Sequence, residues 1–185
     1  QAEYNLIFIK SMLRAGNKLS SDSVIHTTTQ YYRDHNDSAG LHQILYYNGL
    51  YHYRNARHDS AVLYFDKAVK AVPAGNDNDR KAGYKRTAGY SYLHLGDAEA
   101  AVKTQTEGLQ YARASNDSLS VIYSLLSLAE AYKYNKEMEQ SLEIYTQVLD
   151  LIREREDRDM EASILNIVSG VYESDNLIKE ALYYK

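Results

Sequence analysis

Histidine is the side chain whose charge and lone pair are most often put to chemical use near neutral pH, and six occur here: His26, His35, His42, His52, His58 and His94. No two stand four residues apart, and no His-Glu-x-x-His is present, so the helical spacing that aims two imidazoles at one metal is missing. They read as solvated or half-packed side chains, and no metal site is expected. Gly83, Gly89 and Gly96 are spread along the chain rather than gathered into a loop that could cradle phosphates. There is no cysteine, which excludes disulfides and thiolate metal centres. Ser-Asp and Asn-Asp pairs have the residue types for nucleophilic or calcium chemistry. They recur at regular intervals, however, and helix capping explains them more simply. No acid, base, nucleophile or cofactor motif converges, so the expectation is a non-enzyme with no catalytic residues and no cofactor.

The elements that carry these residues are set by composition. The chain has 185 residues, 44% of them hydrophobic, enough to pack one domain or one short solenoid. Its single proline, Pro73, leaves room for long helices. Net charge is −4, which disfavours a nucleic-acid surface, since that requires a basic stripe to displace counterions. No apolar run approaches the roughly 20 residues that span a bilayer. The run from Arg153 to Asp159 alternates in sign and reads as a solvated helix end. The chain starts without Met, lacks a recognisable signal peptide, and stops at Tyr183-Tyr184-Lys185 inside an amphipathic pattern, as a piece of a longer or processed product would. Tyrosine is heavily over-used, with 19 against 2 phenylalanines and no tryptophan. Its large body and polar tip suit half-buried and binding positions.

A repeat organises the whole. Asn36-Asp37, Asn76-Asp77, Asn116-Asp117 and Glu156-Asp157 follow one another at a step of 40 residues. Gly49, Gly89, Ala129 and Ser169 keep the same step, as do Ala61, Ala101, Ser141 and Ala181, and His52, Tyr92, Tyr132 and Tyr172. Each unit reads as two helices. Leu125, Leu128, Ala129 and Tyr132 lie on one helical face, Asn135-Lys136-Glu137 forms a turn, and Ser141, Leu142, Tyr145, Val148 and Leu149 continue on a second helix. Asp59 and Asp97 are candidate N-caps, and Gly96 a helix stop. Small residues at a fixed step let two helix backbones approach closely. A plain helical bundle is the alternative, but it does not require a constant interval.

The segment from Gly89 to Ala101, with Tyr92, Gly96-Asp97 and Ala101 in place, resembles the tetratricopeptide signature. Gly49, Ala61, Phe65, Ala68 and Pro73 match the same pattern, and Ala129, Tyr132, Ser141 and Tyr145, then Ser169, Tyr172 and Ala181, match it more loosely. The resemblance covers residues 39 to 185. It departs from the usual 34-residue repeat and resembles the longer, 40-residue subclass. It implies an all-α, right-handed superhelical solenoid of about five helix-turn-helix units, at 1–37, 38–77, 78–117, 118–157 and an incomplete 158–185, forming one domain. The opening, through Tyr31-Tyr32-Arg33-Asp34-His35-Asn36-Asp37, also resembles bacterial tetratricopeptide proteins of the Bacteroidetes, several of which resemble one-chain regulators. That implies an extracytoplasmic, membrane-anchored setting, with a cytoplasmic one as the alternative.

The resemblance further implies a partner and a surface. The first helix of each unit lines the concave side. Carrying the family's concave positions onto this chain selects Gln43, Tyr46, Tyr47, Leu50, Tyr53 and Arg54, then Arg86, Tyr90, Leu93 and His94, then Tyr123, Ser127, Glu130 and Tyr134, and last Asn166. Such a Tyr-rich groove implies a protein or peptide partner and a scaffold function. Tyr46, Leu50, Arg86 and Tyr90 stand where a chaperone-tail clamp of the family would need Lys and Asn, so that clamp is absent. Two other readings remain: a ligand-sensing domain of a larger membrane-linked transcriptional regulator, and self-association of the chain.

Overall fold

The computed structural model describes residues 1–19, 21–75 and 77–174. The expected Ala181, the second helix of the last unit, and Ser20 and Asn76 lie outside them. The described residues form nine α-helices and no strand: α1 (Ala2–Arg14), α2 (Ser23–Asp34), α3 (Ser38–Arg54), α4 (His58–Ala71), α5 (Asn78–His94), α6 (Ala98–Arg113), α7 (Ser118–Tyr134), α8 (Met138–Glu154) and α9 (Arg158–Ser174). Each helix packs on the next in sequence, and the odd-numbered helices also meet one another, α1 with α3 and α5 with α7. That is a stack of helix pairs, an all-α solenoid.

The connections explain why the pairs fold alike. Gly16, Asn36, Ala56, Gly96, Asn116, Lys136 and Glu156 all have positive φ, between 50° and 81°. These positions fall on a 20-residue grid, so the 40-residue repeat consists of two half-steps closed by the same turn. Where the chain turns from first to second helix, the amide three residues past the helix reaches back to a carbonyl in its last turn: Arg57 N–H to His52 at 2.9 Å, Asp97 N–H to Tyr92 at 3.0 Å and Glu137 N–H to Tyr132 at 2.9 Å. This is the left-handed C-terminal cap that satisfies otherwise orphaned carbonyls. At every left-handed position after Gly16, the next residue then starts the following helix. Asp37 accepts from Gly40 N–H at 2.9 Å, Asp97 from Ala100 at 2.9 Å, Asp117 from Leu119 at 3.1 Å and Asp157 from Met160 at 3.0 Å. In Asn36-Asp37, Asn116-Asp117 and Glu156-Asp157 only the second residue is therefore a cap, and the first takes the strained φ. Asp59 is not an N-cap. That place belongs to Arg57, and Asp59 sits in the first turn of α4, where its charge faces the positive helix end. Pro73 follows Val72, whose extended backbone ends α4 as a residue before proline should.

The small residues lie at close crossings. A Cβ placed on Gly49 would lie 2.6 Å from the Phe65 ring, and one on Gly89 would lie 2.2 Å from Gln105 Nε2. Ala61, Ala101, Ala129 and Ser141 are fully enclosed, and Ser141 Oγ donates to the Ala129 carbonyl at 2.8 Å across the α7–α8 crossing. A closed bundle with Gly89 and Ala101 in solvent is therefore ruled out. The core runs along the stack in segments, from Ile9, Leu13, Ile25 and Ile44 at one end to Ile122, Val148, Ile152 and Val168 at the other.

Candidate functional site

The candidate site is a face of α1, α3, α5 and α7, on which ring contacts join α3 to α5 and a cation–π contact joins α5 to α7. Tyr46 of α3 stacks on Tyr84 of α5 with ring centres 4.6 Å apart and planes at 16°. Tyr84 Oη lies 3.0 Å from His42 Nδ1. Near the other end of the same helices, Tyr53 Oη lies 2.9 Å from His94 Nε2, and His94 stacks on His58 at 4.6 Å. The Arg86 guanidinium lies 5.5 Å above the Tyr123 ring, joining α5 to α7. Such cation–π and ring contacts fix side chains that would otherwise be mobile.

The structure places the selected residues unevenly. Arg54, His94, Tyr123, Tyr134 and Asn166 are exposed, Tyr134 most among these tyrosines at 58%. Gln43, Tyr46, Leu50, Tyr53, Arg86, Tyr90, Leu93 and Glu130 are half-buried. Two selected residues are buried, although Tyr47 still edges a recess on this face. Tyr47 is enclosed against α1 and its neighbours, one residue round the helix from Tyr46. Ser127 is fully enclosed, and its hydroxyl donates to the carbonyls of Tyr123 and Ser124. The cause is common to both: the neighbouring first helix covers one flank of α3 or α7, so only a narrow strip of each stays open.

The strip is electrostatically uneven. Around Glu130, the hydroxyls of Tyr90, Tyr145 and Tyr53 are all held above the usual phenol range, by burial first and by the Glu130 charge second, Tyr145 up to about 12. They stay protonated donors at any ordinary pH, with the Glu130 carboxylate close to the Tyr90 hydroxyl. At the other end is a concavity of about 280 Å3 lined by Lys10, Arg14, Tyr46, Tyr84, Arg80 and Arg86 among others, with Asp79 as its one carboxylate. Arg80 is tied to Asp77 at 3.1 Å and lies 3.4 Å from His42 Nε2. Burial, followed by Arg80, lowers the His42 pKa. Sequence reasoning missed Lys10, Arg14, Arg80 and Tyr84. A signal existed for the first two: the 40-residue step carried back from Leu50 and Arg54 lands on Lys10 and Arg14.

Among the described residues, no three His, Asp or Glu side chains gather as a metal-binding group, and no helix is long and apolar enough to cross a membrane.

Fold and site together define a helix-pair solenoid in which neighbouring first helices touch one another. Residues 122–155 match the tetratricopeptide repeat family, and the chain as a whole has the fold of an all-α helical repeat solenoid. Solved structures with the same fold include BtubC (BKLC) from P. vanneervenii, with a TM-score of 0.81 at 14% identity over 98% of this chain and 76% of that one. The apo form of RapI superposes with a TM-score of 0.86 at 12% identity, over 99% of this chain and 67% of that one. Aspartyl phosphate phosphatase F from Bacillus subtilis gives 0.80 at 12% identity over 99% of this chain, which spans 48% of it. At these identities the likeness is one of fold. None of the curated protein sequences matches this chain.

Proposed function

We propose that the chain is a non-enzymatic binding scaffold that holds a protein segment or peptide along the face of its first helices. The observation carrying this reading is the strip itself. Tyr46, Tyr53, Tyr90, Tyr123 and Tyr134 are half-buried or exposed along three successive first helices, α3, α5 and α7, with Arg54 and Arg86 among them. Tyr and Arg give large contact area and strong hydrogen bonding at small entropic cost, and they dominate binding energy at interfaces. Stacked helix pairs provide an extended concave surface for such contacts. The fixed ring and cation–π contacts reduce the ordering cost of association.

The test is selection of binding peptides from a displayed library, followed by calorimetry on variants. Tyr123→Ala and Tyr134→Ala remove exposed rings, so helical content by circular dichroism should not change. Selected peptides should lose about 1–2 kcal/mol of affinity on either change, the scale of an interface hot spot. Peptides that bind both variants as tightly as the parent would show that the groove is not the binding surface.

A further inference from the structure

We propose that the concavity bounded by Lys10, Arg14, Arg80 and Arg86 receives the carboxylates of an acidic peptide segment, so that the bound chain lies with its acidic end toward α1. This rests on the groove reading above and specifies its partner. Three observations carry it.

The first is charge. The chain as a whole is acidic, with a net charge of −4, yet this recess presents four cationic side chains and one carboxylate, Asp79. Asp77 offsets part of the Arg80 charge from beside it, and the recess remains positive. The second is order. Arg14 lies beside the Tyr47 hydroxyl, where its charge opposes the rise in pKa that burial causes, Arg80 is fixed by Asp77 and His42, and Arg86 lies over Tyr123. The stacked Tyr46 and Tyr84 line the same recess. Guanidinium groups held in place match a carboxylate in two-point geometry at less entropic cost than mobile ones. The third is polarity along the groove. The equivalent position on successive first helices reads Lys10, Leu50, Tyr90 and Glu130 at the 40-residue step, and the neighbouring one reads Arg14, Arg54, His94 and Tyr134. Positive charge is lost along both series, and the first ends in the Glu130 carboxylate, so an acidic segment is favoured at α1 and opposed at α7.

The volume, about 280 Å3, falls below the roughly 300–1,000 Å3 of small-molecule pockets. It is room for side chains of a longer ligand. Its place within a concave strip, between first helices, suits an extended chain better than the flat surface of a bilayer.

Fluorescence anisotropy with labelled synthetic peptides tests this on the intact chain. One probe alternates Glu with Leu, and its counterpart replaces every Glu with Gln. The Glu peptide should bind roughly tenfold more tightly than the Gln peptide. That preference should fade as NaCl rises from about 0.05 to about 0.5 M, where screening shortens to a few ångströms. Combined Lys10→Glu and Arg14→Glu reversal should abolish the preference, and the salt titration on the unaltered chain provides the same reading should the variant fail to fold. Equal binding of both peptides overturns the proposal while leaving the groove reading standing. A Glu peptide held equally by the folded reversal variant also overturns it, because the charge contact then lies elsewhere. Binding to phosphatidylserine vesicles without binding to the Glu peptide would assign the recess to a membrane and overturn it as well. Failure of both peptides overturns it too, and the library selection above then decides separately whether the groove reading falls.

Discussion

At the scale of single residues, the fold depends on places where a side chain has no room. Gly49 sits in mid-helix, where alanine is intrinsically better by about 0.5–1 kcal/mol. Its Cβ position nevertheless lies 2.6 Å from the Phe65 ring, and Phe65 is wholly enclosed. An aromatic ring in a packed core cannot move aside without disturbing its other neighbours, so overpacking outweighs propensity. Gly49→Ala should therefore destabilise the chain by about 1–3 kcal/mol, measured as a lowered urea midpoint with an unchanged slope. A variant as stable as the parent would mean that the α3–α4 crossing is looser than drawn. The same constraint made these positions legible in the sequence, since a steric requirement repeated at a fixed step leaves the same residue sizes behind. Burial of Tyr47 and Ser127 was not legible. Their exposure depends on which flank of a helix the neighbouring helix covers, and that is a property of the assembled stack.

At the scale of the helix, the shared turn accounts for much of the regularity. Each described half-step ends with one left-handed residue, and the sequence signals this unevenly. Asn36, Gly96 and Asn116 are types that tolerate positive φ, whereas Ala56, Lys136 and Glu156 are not. The 20-residue grid was hidden for that reason, although the 40-residue period was plain. The mismatch leads to a stability prediction. Ala56 is exposed with φ of 55°, so its side chain makes strain without compensating burial. Ala56→Gly should stabilise the chain by about 1 kcal/mol, from the cost of a left-handed β-carbon less the added freedom of glycine when unfolded. In the reverse direction, Gly96 has φ of 77° and open space around it, so Gly96→Ala should cost a similar amount through strain alone. Thermal melts of the two variants should move in opposite directions. Movement in the same direction would show that the turn geometry is not what limits the helix ends.

At the scale of the whole molecule, the helix pairs are held by contacts to adjacent elements, so the weakest junction governs how the stack loosens. Three histidines with lowered pKa lie around the second pair and its junction with the third. His42 is enclosed and bonded to Tyr84 across α3 and α5. His52 stacks on Tyr64 within the pair, and His58 stacks on His94 across α4 and α5. Burial is the leading cause of each shift, reinforced by Arg80 for His42, by Arg57 for His52 and by His94 for His58. Asp77 and Asp37 beside His42, Asp22 beside His52 and Asp59 beside His58 oppose the shifts without reversing them. A base whose pKa is lower folded than unfolded binds more protons when unfolded. Its stabilising effect is complete above the unfolded value near 6.5 and is lost as pH falls below it toward the folded value. Melting temperature should thus fall between about pH 7.5 and pH 5.5, a window above the ordinary carboxylate range. Hydrogen exchange should quicken first in α3 and α4. His42→Gln combined with His58→Gln should flatten the slope in that window. Stability that stays level or rises on acidification would mean that these imidazoles accept protons without leaving their packing, and that the junction between the second and third pairs is not the acid-sensitive point of the stack.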